Sequence, residues 1–98
     1  MIPNQEKITS GFSDVLSESG FTDIDPVSPS EQGGWLRLST SATIPSHYTS
    51  QAIANRVAGL LMLNNYENVH KQSVTVTDNS RVEFKARVCK PQGATNEN

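Results

Sequence analysis

A single cysteine, Cys89, leaves no partner for an intrachain disulfide and no multi-cysteine zinc site. Charged side chains are scarce at 18% and apolar ones reach only 35%, the difference being filled by Ser, Thr, Asn and Gln. With a formal charge of −2, the chain lacks the strong imbalance that usually accompanies low hydrophobicity in wholly disordered sequences. No apolar run approaches the ~18 residues that span a bilayer. The opening Met-Ile-Pro-Asn-Gln-Glu-Lys holds no basic region followed by an apolar stretch, so no secretory signal is expected. These absences predict one small domain over residues 1–90 with a flexible polar tail over 91–98, cytoplasmic in a bacterial or host cell and without membrane contact.

Catalytic motifs are also missing. His47 and His70 have neither a second histidine nor a carboxylate at helical spacing, so no metal site is expected. Cys89 stands beside Lys90 but has no identifiable base to activate it. Asp23 and Asp25 are two residues apart next to Pro26, which suits a soluble edge segment better than a carboxylate pair. Gly33-Gly34 lacks the Gly-Lys-Ser/Thr ending of a phosphate loop and leads into a strand, so it reads as a turn. Pterin carbinolamine dehydratases are α/β domains of similar size and element order, but Asn64 to His70 lacks their His-His-Pro signature, which rejects that resemblance. The expectation is a protein with no catalytic residues, no metal and no cofactor.

What is present is periodicity. Ile8, Phe12, Val15 and Leu16 make one helical stripe within about Gln5–Ser19, with Asn4 as cap and Gly20 just past the end. Phe21–Val27 reads as a short extended piece limited by Pro26 to a sheet edge, and Ser28–Gly34 as a flexible loop. Trp35–Ile44 alternates, with Leu36, Leu38 and Ala42 on one face and Trp35, Arg37, Ser39 and Ser41 on the other. A second helix over about His47–Leu63 carries Ile53, Val57, Leu60 and Leu61, and Asn64-Asn65 ends it. In the last hairpin apolar residues must face apolar ones. A two-residue turn would set Val76 against Arg81, whereas a three-residue loop, Asp78-Asn79-Ser80, sets Val76 against Val82 and Val74 against Phe84.

The resulting order, αββαββ, predicts an α+β two-layer sandwich with two helices on one face of a four-stranded antiparallel sheet. Moved to the front, the last strand gives a βαββαβ order that resembles the ferredoxin-like fold, here permuted. The predicted core is Phe12, Leu16, Leu36, Leu38, Ile53, Val57, Leu60, Leu61, Val74, Val76, Val82 and Phe84. Each helix is followed by a similar stretch, Gly20-Phe21-Thr22-Asp23-Ile24 and Asn65-Tyr66-Glu67-Asn68-Val69.

Charge is unevenly distributed. Residues 1–34 hold six acids against Lys7 alone, a net −5, and the remainder holds seven bases against four acids, a net +3. Strand parity turns Trp35, Arg37, Lys71, Arg81, Lys85 and Arg87 to the open sheet face. Trp and Arg are enriched at binding hot spots, so the expected partner is another protein. The expected role is that of a small accessory, assembly or inhibitor protein, cellular or virus-encoded. A rival reading is a single-stranded nucleic-acid module stacking bases on Trp35, disfavoured by the single aromatic and the acidic total. Pairing of two copies through the open face or an unprotected edge is also compatible with the pattern.

Overall fold

The computed structural model describes residues 5–89; Asn4, the expected helix cap, and the expected tail over 91–98 lie outside them, as does the Cys89 side chain. Six elements follow in order: α1 (Gln5–Glu18), β1 (Ser28–Gln32), β2 (Trp35–Ser41), α2 (Ser50–Leu63), β3 (Glu67–Val76) and β4 (Arg81–Cys89). The four strands form one antiparallel sheet in the order β1-β2-β4-β3. Strands β2 and β3 therefore run parallel, joined through α2, with β4 inserted between them.

Both helices bury their stripes on the same sheet face. Ile8, Phe12, Val15 and Leu16 of α1 join Ile53, Ala54, Val57 and Leu61 of α2 in one cluster with Leu36, Leu38, Val82, Phe84, Ala86 and Val88. The register sets Leu36 against Ala86, Leu38 against Phe84 and Thr40 against Val82, so every helix-facing pair of the central strands is buried. Val74 and Val76, expected in the core, lie on edge strand β3 and are only partly buried. Leu60, also expected there, is only half-buried, its side chain packing over Gly11 where the helices meet. A Cβ at Gly11 would stand 2.5 Å from Leu60 Cδ2, so the glycine sets how closely α1 approaches α2.

The last hairpin has the expected geometry. Val76 opposes Val82, Val74 opposes Phe84, and Asp78-Asn79-Ser80 forms the loop, with Ser80 at φ 61°. Thr77 N–H donates to the Arg81 carbonyl at 2.9 Å to close it. The first hairpin corrects the sequence reading. Ser28–Gln32, expected as a loop, is strand β1, while Phe21–Val27 is a connector bonded to the end of β2 through Thr22–Thr43 and Asp25 N–H to the Ser41 carbonyl. Gly33 (φ 59°) and Gly34 (φ 82°) supply the two positive-φ positions of a tight two-residue turn. Helix α2 starts at Ser50, three residues after the expected His47, the intervening Tyr48 meeting the Phe21 ring edge-on at 5.5 Å.

Both edges are modified. Pro29, not Pro26, sits in edge strand β1, where its missing N–H is tolerated. Edge strand β3 carries two register shifts, between Glu67 and His70 and between His70 and Ser73, with Asn68 (φ 51°) and Lys71 (φ 53°) in left-handed conformations. Two residues oppose one at each shift, which bends the strand and makes it a poor template for pairing.

Candidate functional site

The cross-strand register arranges the open face as a grid. One row reads Gln32, Trp35, Arg87, His70; the next reads Ser30, Arg37, Lys85, Ser73; the third reads Ser28, Ser39, Glu83, Thr75. Residues directly opposite share a face, and diagonal neighbours lie within reach of long and aromatic side chains. Trp35 is half-buried beneath such neighbours: Lys85 Nζ lies 4.7 Å from its ring centroid and the Arg87 guanidinium carbon 6.0 Å. At these distances a cation is attracted to the ring, by ~0.5–1 kcal/mol at an exposed site. Beside the ring, Ser30, Gln32, Trp35, Arg37 and Lys85 line an open recess of about 200 Å³.

Of the six residues expected on this face, four gather at one end: Trp35, Arg37 and Lys85 line the recess, and Arg87 lies against the Trp35 ring. Arg81 opposes Ser41, six residues along β2 from Trp35, or ~20 Å at ~3.3 Å per residue, and its guanidinium donates to Ser39 Oγ at 3.2 Å. It belongs to the far end of the face. Lys71 has no ladder partner, since it falls in the shift between His70 and Ser73. His70 instead takes the place beside Arg87. Sequence reasoning misses His70 because bulges reset strand parity, and misses Ser30 and Gln32 because Ser28–Gln32 has no apolar alternation to mark a strand. A signal for the latter pair existed: a two-residue Gly-Gly turn places Gln32 opposite Trp35 and Ser30 opposite Arg37.

The electrostatics of the face are unbalanced. Arg37 and Lys85 stand directly opposite each other, a like-charge pairing that opposes folding. Among the described residues the one ion pair, Arg56 with Glu18, joins the two helices and not this face. Glu6, Asp14 and Glu18 are exposed on α1, in the helical layer that also carries Lys7 and Arg56.

Other candidates carry less chemistry. Asp23 Oδ2 accepts from Thr43 Oγ1 at 3.1 Å, a local tie between the connector and the end of β2. No group of three His, Cys, Asp or Glu is placed to hold a metal among the described residues. Tyr66 is buried and its hydroxyl has no hydrogen-bond partner; burial first, then the Glu31 charge, push its pKa upward. No helix is long and apolar enough to cross a membrane. Comparisons with family models, curated proteins and solved structures returned no match.

Proposed function

We propose that this domain is a non-enzymatic protein-interaction module, of the accessory, assembly or inhibitor kind, that docks through the open face around Trp35 in the cytoplasm of a bacterial or host cell. The observation that carries this reading is the gathering of Arg37, Lys85 and Arg87 around a half-buried tryptophan on a sheet face that no other element covers among the described residues. Aromatic and arginine side chains in such a setting supply most of the energy of typical interfaces. Pairing of two copies through sheet edges is opposed by Pro29 in β1 and by the two bulges of β3, which makes the open face the better docking surface.

The topology supports a ferredoxin-like reading in permuted form. Carrying β4 to the front would give βαββαβ, with each β-α-β unit spanning one intervening strand. The second functional reading, single-stranded nucleic acid, draws on the same ring and cations. It is weakened by the single aromatic on this face and by the acidic total of the chain.

Trp35→Ala tests the docking reading. The ring lies outside the core cluster, so the variant should keep the wild-type circular dichroism spectrum. Its affinity for a partner isolated with the wild-type protein should fall by about 30-fold, the order expected of a hot-spot aromatic. Unchanged affinity in the folded variant would remove this face as the docking site.

A further inference from the structure

Resting on that docking reading, we propose that the occupant of the recess is an extended acidic segment of a partner protein, with an Asp or Glu carboxylate held between Arg37 and Lys85. The two cations repel each other in the free protein, and no described carboxylate lies within ion-pair distance of either. An anion placed between them removes that repulsion and accepts charge-assisted hydrogen bonds from both. Arg87, one row away with His70 beside it, extends positive charge along the same end of the face.

The neighbours choose between a peptide and a nucleic-acid strand. Ser30 and Gln32 line the β1 side of the recess with uncharged donors and acceptors suited to a peptide backbone. On the other side of the Arg37–Lys85 row stands Glu83, opposite both Ser39 and Thr75. A phosphate backbone tracking the strands would meet that carboxylate within one step, whereas a short acidic cluster would end before it. The net charge of −2 adds repulsion that grows with the length of a polyanion.

Fluorescence anisotropy tests the proposal with three labelled probes: a short peptide of alternating Glu and Ser, its Gln-for-Glu counterpart, and an oligothymidylate of equal charge. The Glu peptide should bind saturably at low salt and weaken as salt shortens the screening length. Arg37→Gln and Lys85→Gln should each reduce that affinity by about ten-fold, while Arg56→Gln, on the helix side, leaves it unchanged. Equal binding of the Gln counterpart, tighter binding of the oligothymidylate, or insensitivity to both face variants would each overturn the proposal. Failure here while Trp35→Ala still loses its isolated partner would refute the acidic occupant alone. Failure of both would refute the docking reading as well.

Discussion

Two helical glycines separate local propensity from packing. Gly59 of α2 is exposed, and a Cβ there would meet nothing within 4 Å. Gly59→Ala should therefore stabilise the domain by the full helix-propensity difference, ~1 kcal/mol. For a chain of this size that raises Tm by ~4–8 °C. Gly11→Ala gains the same propensity, but its Cβ would lie 2.5 and 2.7 Å from the two Leu60 methyls. Carbon atoms prefer ~3.5–4.0 Å, so the overlap is about 1 Å, and overpacking of this kind costs ~1–3 kcal/mol. Leu60 is half-buried and can turn aside, which sets the lower bound. The net effect is between about zero and −2 kcal/mol. Urea denaturation of the two single variants, and of Gly11→Ala in a Leu60→Ala background, measures each term. With Leu60 truncated, Gly11→Ala should recover its ~1 kcal/mol, giving a coupling of ~1–3 kcal/mol. Equal stabilisation at both glycines, or no change when Leu60 is removed, would refute the account of the helix crossing.

Tyr66→Phe should raise stability by about 1 kcal/mol, since it removes a buried hydroxyl that has no partner. The folded chain also holds the Tyr66 proton more tightly than the unfolded chain, which releases it near pH ~10; stability should decline as pH rises above that value, and Tyr66→Phe should flatten the decline in urea midpoints. Lys71→Gly should stabilise by about 0.5–1 kcal/mol by relieving a left-handed conformation, and a lower urea midpoint would contradict the bulge geometry. The single tryptophan should be quenched more efficiently by iodide than by caesium at low salt, because Lys85 and Arg87 surround its ring; equal quenching would remove the cationic setting proposed for the site.

The legibility of this fold followed its apolar side chains. Val74, Val76, Val82 and Phe84 are distinctive enough that requiring apolar to face apolar excluded a two-residue turn and yielded the observed register and loop. Strand β1 holds no residue more apolar than Pro29, so periodicity had nothing to register, and the strand forms by backbone pairing to β2 through the Gly33-Gly34 turn. Four of the six face residues gather because β2 and β4 are regular; Lys71 departs because β3 is not. Nothing in the side chains of Asn68 or Lys71 announces a left-handed backbone, although asparagine tolerates one. Phe21 and Tyr66 escaped the expected core because they follow the helices and belong to no periodic stripe, yet both are almost fully buried.

Those two aromatics lead to a symmetry deeper than the faint likeness of their sequences. At the end of α1, Gly20 N–H donates to the Ser17 carbonyl and Phe21 N–H to that of Leu16; at the end of α2, Asn65 and Tyr66 donate to Met62 and Leu61. Both ends are thus the same left-handed cap, with Gly20 (φ 98°) or Asn65 (φ 72°) at its turn and a buried aromatic next. Two residues later Asp23 and Asn68 share φ 51°, and Ile24 and Val69 then pack against the core. The sheet order reads the same from either edge when the halves are exchanged, and the flanking pairs Leu36–Ala86 and Thr40–Val82 lie symmetrically about Leu38–Phe84. The domain is therefore built as two αββ units about a pseudo-twofold axis. On that axis Trp35 corresponds to Arg81 and Arg37 to Glu83. The repeated features are the ones that bury surface and close helices, so they account for stability. The ring has no counterpart in the other half, where Arg81 stands in its place, and the position equivalent to Arg37 holds Glu83. This asymmetry distinguishes the Trp35 end of the sheet from the Arg81 end, although both sit on the same symmetric frame.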